Sequence, residues 1–113
     1  MNLNDKAKDF TDAIKKTREY IELKQAHSII NKNSGLKKKA DEIKKKQHEI
    51  LVNYKSGQKN QDPKILELSE ELKRVMEIPE LNRYFIAGNN FHNMMSKIYM
   101  LINEAIESDL KNS

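Results

Sequence analysis

The run from Pro79 to about Leu110 constrains this chain more than any other feature. No proline interrupts it after Pro79. Apolar or small residues fall at Leu81, Tyr84, Gly88, Phe91, Met95, Ile98, Ile102 and Ala105. Those steps alternate between three and four, the period of a helix that packs on other helices. Pro79 suits the first turn, where its missing N–H costs no hydrogen bond. At a rise of 1.5 Å, ~30 residues make a rod of about 45 Å. Such a rod is long for a chain of 113 residues, so the other helices are expected to lie along it.

The rest of the chain agrees with an all-α reading. Three glycines and two prolines leave little turn chemistry for a β fold. The charged fraction, 34%, nearly equals the hydrophobic fraction, 37%, so the apolar residues must form narrow stripes. The expected architecture is one domain, residues 1–113, folded as a bundle of four to five antiparallel helices with a long C-terminal helix.

In chain order, Asn4 or Asp5 is expected to cap a first helix carrying Leu3, Ala7, Phe10, Ile14 and Ile21. Two readings stay open at Thr17. It ends one helix and caps the next, as threonine prefers, or a single helix runs from 5 to 31. Ile21, Leu23, Ala26, Ile29 and Ile30 form the next stripe, and the polar run Asn31–Gly35 breaks it, with Ser34 as the following cap. A Lys-rich helix from Leu36 to Lys55 has a narrow seam of Leu36, Ala40, Ile43, Gln47, Ile50 and Tyr54. Gly57 is expected to stop it. Asp62-Pro63 then starts a helix with Ile65, Leu68, Leu72, Val75 and Met76 inward. Ile78-Pro79 ends that helix, because the residue before proline avoids the α region. The end of the last helix, from Glu104 to Leu110, is expected to fray.

Chemistry is sparse. Cysteine is absent, so disulfides, thiolate nucleophiles and Cys-ligated metals are excluded within the chain. His27, His48 and His92 are scattered, and neither His27 nor His48 has a His or an acid four residues on. Carboxylates such as Glu67 and Glu71 read as a charged helix face rather than an acid–base pair. No phosphate loop or catalytic constellation is present. The expectation is a non-enzyme without catalytic, cofactor-binding or metal-binding residues. No apolar run approaches the ~20 residues that span a bilayer, and the start of the chain lacks a secretory pattern; the reading is cytoplasmic, with no membrane association.

Charge is uneven. The net value is +4, but residues 1–60 carry +7 and residues 61–113 carry −3. Lys37, Lys38 and Lys39 lie one heptad before Lys44, Lys45 and Lys46, so each stacks nearly above its counterpart. This stripe reads first as a solvated face partly neutralised by Asp41, Glu42 and Glu49. The alternative is a phosphate-contacting surface for nucleic acid, although few aromatic residues interleave to stack bases.

Met94, Met95 and Met100, with Phe91 and Tyr99, make the last helix bulky on more than one side, and a self-contact is expected at Phe85, Gly88, Phe91, Met94, Met95 and Ile98. Core packing explains part of this. The remainder marks a self-contact in a homodimer or higher homo-oligomer, because methionine side chains repack readily. Glycine within a helix costs about 1 kcal/mol against alanine, and close approach of a second helix at Gly88 would offset it.

The order of these features resembles the YlbF/YmcA family of small helical bacterial proteins, and within it a YheA-like branch. The features are Thr17-Arg18-Glu19-Tyr20, Leu23-Lys24, the Asn31–Gly35 turn, the Lys-rich helix with Gln47, Gly57, Pro79 and the Tyr84–Ala87 stretch. The likeness runs from about 6 to 110. It implies long antiparallel helices that self-associate, and a regulatory role with protein partners. In that family the role is linked to ribonuclease Y-dependent RNA processing and to competence, sporulation and biofilm development. No catalytic residue is carried over. The chain departs from relatives that use cysteines for iron–sulfur binding, since it has none. It also carries Ala40 and Ile43 where phenylalanines are usual in the branch, and Gly88 where glutamate is usual.

Overall fold

The computed structural model of the chain describes residues 2–55 and 63–113, with side chains described for 2–52 and 63–113. Among these residues there are five helices and no strand: α1 (Leu3–Lys15), α2 (Arg18–Asn31), α3 (Ser34–Lys55), α4 (Pro63–Val75) and α5 (Pro79–Lys111). The protein is all-α, and α5, at 33 residues, is its longest helix. The expected stop at Gly57, cap at Asp62 and inward Tyr54 lie outside the described residues.

Local chemistry sets each break. Asn2 caps α1, accepting a hydrogen bond of 2.9 Å from the Asp5 N–H. The sequence reading placed this cap at Asn4 or Asp5. Asn2 takes it because its backbone is extended, and its side chain then reaches the orphan N–H three residues on. Thr17 breaks the chain between α1 and α2. Its hydroxyl donates to the Ile14 carbonyl at 2.6 Å and accepts from the Tyr20 N–H at 3.2 Å. One hydroxyl thus closes α1 and opens α2, and the continuous helix from 5 to 31 is ruled out.

Asn33, not Ser34, caps α3, accepting from the Leu36 N–H at 3.1 Å. The turn is therefore shorter than expected, and Ser34 and Gly35 already belong to the helix. At Pro79, α4 gives way to α5 as expected. The Asn82 side chain donates to the Met76 carbonyl at 2.9 Å and ties the two helices across the break. The C-terminal turns of α5 do not fray: the helix holds through Leu110 to Lys111.

Packing divides the chain into two compact units. The unit Ala26–Tyr84 contains the end of α2, all of α3 and α4, and the start of α5. Here α3 and α4 form the expected helical hairpin. Its core is Ala26 and Ile30 from α2, Ala40 and Ile43 from α3, Leu68 and Val75 from α4, and Leu81 and Tyr84 from α5. Ile43 and Leu81 are completely shielded from solvent. Ala40 and Ile43, the two small replacements noted in the sequence, are thus among the tightest positions. Ile29 and Gln47, expected inward, are exposed.

The other unit joins the residues up to Gln25 to Phe85–Ser113. It has a single buried apolar residue among those described, Ala87. No residue of α1 is buried, and every residue from Tyr99 onward is exposed. Ile21, read as core-facing, is 44% exposed.

Candidate interaction surfaces

In the unit formed by the chain's two ends, the first turns of α2 pack on α5. The Tyr20 and Phe91 rings meet at 6.1 Å, inclined at 57°, within the range of favourable aromatic pairs. Leu23 lies against Gly88. As α2 advances by three residues its contact on α5 retreats by three, so the two segments run antiparallel.

This arrangement places the six residues read as a self-contact. Phe85, Gly88, Phe91, Met94, Met95 and Ile98 are all half-buried. Phe91 spends one side on Tyr20. The space at Gly88 is larger than the sequence reading supposed: a methyl group there would sit 3.9 Å from the Leu23 side chain, an ordinary contact. The α2–α5 approach does not require glycine.

Met94 and Ile98 also line a shallow groove of about 530 Å³ with Asn90, Asn93 and Lys97 on one wall. Arg18, Glu19 and Glu22 form the other wall. Arg18 and Glu22 are joined at 2.8 Å. The hydrogen bond to Glu22 raises the Arg18 pKa, with the charge of Glu22 adding to it. The groove therefore combines the apolar Met94 and Ile98 with amides and charges of both signs, which suits a protein partner better than a small anion.

The lysine stripe lies in the other unit, and packing has consumed part of it. Lys44 donates a hydrogen bond to the Tyr84 hydroxyl, and its ammonium stands 4.6 Å from the Tyr84 ring centre. The His27 ring flanks the same tyrosine at 5.9 Å. Lys46 reaches across the hairpin to Glu71 at 2.6 Å. That hydrogen bond raises the Lys46 pKa, against a smaller opposing effect of desolvation. Lys37, Lys38 and Lys45 surround Asp41 and Glu42 in an open depression. Lys39 lies beside Glu42, Glu71 and Arg74. The neutralising acids thus include Glu71 from α4, which within-helix spacing could not reveal. Lys44 and Tyr84 are separated by forty positions, so neither residue signalled the contact in the sequence.

Among the described residues, no group of three or more His, Asp or Glu side chains converges as a metal site. No described helix is long and apolar enough to cross a membrane.

Long paired helices, exposed apolar faces on the terminal unit and a hairpin whose lysines are partly paired with acids offer surfaces for protein contact. The family model described as control of competence regulator ComK, YlbF/YmcA, matches residues 3–107. The chain belongs to the YlbF/YmcA family. It is accordingly a helical protein of a regulatory family whose description names control of ComK. The match covers all of α1 to α4 and most of α5, so it takes in both units and the Thr17 break. No curated protein matches the chain.

Proposed function

We propose that this YlbF/YmcA-family member is a non-enzymatic cytoplasmic adaptor that self-associates and binds protein partners. Its process, on this reading, is RNA-processing or developmental regulation of the kind linked to ribonuclease Y, and its place is the YheA-like branch. The observation that carries the proposal is the family match over residues 3–107. The exposed apolar surface of the terminal unit supports it, because a regulatory protein without a reaction centre acts through contacts of this kind. Phe85, Gly88, Phe91, Met94, Met95 and Ile98 are half-buried, and in this proposal a second subunit covers their remaining area.

The nucleic-acid alternative is left with Lys37, Lys38, Lys39 and Lys45, since Lys44 and Lys46 are engaged with Tyr84 and Glu71. One experiment separates the two readings. The tagged protein is recovered from its host lysate with and without nuclease, and its companions are identified by mass spectrometry. Nuclease-resistant recovery of family relatives or of a ribonuclease supports the adaptor. Recovery that vanishes with nuclease, and direct RNA binding that weakens steeply with salt, transfers the function to the lysines.

A further inference from the structure

The terminal unit holds two apolar faces that stay exposed among the described residues. On α1, Leu3, Ala7, Phe10 and Ile14 fall within a narrow arc at 100° per residue. Leu3 is 84% exposed and Phe10 43%. On α5, Leu101, Ile102, Ala105 and Ile106 continue the face begun by Phe91, Met94 and Ile98, beyond the reach of α2. Leu101 is 66% exposed, Ile102 47% and Ile106 55%. A surface helix normally buries such a stripe, because tertiary packing supplies most of its stability.

We propose that α1 of one copy lies on the residue 99–111 segment of α5 of a second copy, and reciprocally, in a two-fold dimer. This deepens the self-association reading and rests on it. It places the principal contact outward of the Phe85–Ile98 region, with Ile98 at its inner edge.

Three observations on this surface select a second copy as the occupant. The first is area. At roughly 200 Å² for a fully exposed large apolar residue, the five quoted exposures leave on the order of 600 Å² open. A standard interface buries about 800 Å² per partner over ~20–30 residues, and these faces with their flanks come close to that. The second is fit. α1 is 13 residues long, and the 99–111 segment has the same length, about 20 Å. The third is charge. Helical spacing puts Asp5 and Asp12 on the far side of α1 from its apolar arc, and leaves Lys6 and Lys15 as the charges nearest that arc. On the α5 segment, Asp109 falls within the apolar arc itself. An α1 face edged by lysines thus complements an α5 face that carries a carboxylate. Two α5 ends laid together in parallel would instead bring Asp109 against its symmetry mate, and laid antiparallel about Ala105 they would set it on the apolar Leu101. A two-fold dimer makes the α1-on-α5 contact twice, from a partner that is present whenever the chain is.

The absence of cysteine makes the test clean. Ala7→Cys and Ala105→Cys are prepared as single substitutions in the full chain. Ala7 sits near the middle of α1 and Ala105 at the middle of the 99–111 segment, so either helix direction brings the two together. The two variants are co-expressed and oxidised, and only contacts between copies can then form a disulfide. The proposal expects the mixed Ala7–Ala105 disulfide to exceed either like-with-like disulfide severalfold. Light scattering of the unmodified protein should give twice the 13.2 kDa chain mass, and Ile102→Asp should halve it without loss of helical circular dichroism. A dimer with no excess of the mixed disulfide, or one in which Ala105 pairs with Ala105, overturns this contact and leaves self-association standing. A particle of single-chain mass at all concentrations overturns both. A chain that stays single and joins only an unlike protein also overturns both.

Discussion

The two units of this protein use the same sequence rhythm to opposite effect. Between Ala26 and Tyr84, apolar residues three and four apart meet one another, and among the described residues this unit holds eight of the nine buried hydrophobic ones. In the unit made of the chain's ends, the same spacing meets solvent. It holds ten of the fourteen exposed large hydrophobic residues among those described. The first unit has the covered core of a domain. The second has the faces of one without their cover, and ordering a helix without burying its stripe leaves the conformational entropy of the chain poorly offset. Hydrophobic periodicity therefore reports that a face is to be buried; it does not report which chain does the burying.

Substitutions can break this comparison. The largest effect is expected at the hairpin core. Leu81→Ala removes a completely buried side chain and should cost about 2–5 kcal/mol in urea unfolding, whatever the protein concentration. Leu101→Ala on the terminal unit should cost under about 0.5 kcal/mol in dilute solution, and more as concentration rises if a second copy covers it. Equal, concentration-independent losses at both sites would erase the distinction between the units.

A second comparison concerns the α2–α5 seam. Phe91→Asp puts a charge beside Tyr20 and should either reduce the particle mass or unfold the terminal unit; an unchanged particle with unchanged helicity would remove Phe91 from any contact that matters. Gly88→Ala is subtler. There is room for the methyl group against Leu23, so within one chain the change should stabilise by about 1 kcal/mol through helix propensity. A loss of thermal stability or of self-association instead would place a second helix against Gly88.

The smallest effect is electrostatic. The Lys46 pKa is raised above 10.5 by its hydrogen bond to Glu71. A group whose folded-state pKa is raised adds stability that is complete below its unfolded value and is lost as pH rises through the folded value. The α3–α4 pair should therefore be unaffected at neutral pH and weaken only above about pH 10.5. Lys46→Gln should abolish that alkaline step with little change in the urea midpoint at pH 7, as expected for an exposed pair.

Much of the helical layout was legible because it depends on near neighbours. Pro79 and Pro63 mark helix starts by what a proline ring forbids. Thr17 and the polar run near Asn33 mark breaks by what short polar side chains do to backbone N–H groups. The exact caps, Asn2 and Asn33, fell one to three residues from the sequence reading, since several adjacent residues share the chemistry and only backbone direction chooses among them. The candidate surfaces were less legible. The pairing of Lys46 with Glu71 spans 25 positions and that of Lys44 with Tyr84 spans 40, distances at which spacing rules along one helix are silent.

By itself the sequence determined that this protein is all-α, where its helices fall to within a few residues apart from the open choice at Thr17, and that it lacks thiol chemistry. Those properties follow from backbone sterics, capping and side-chain inventory, each of which acts over a few residues. Only the tertiary structure decided which apolar stripes are buried. Ile43 and Leu81 vanish into the hairpin unit while Phe10, Leu101 and Ile106 remain on the surface, although all five sit in equally regular patterns. Burial is a property of the element that arrives opposite, and the choice of that element is made by the fold.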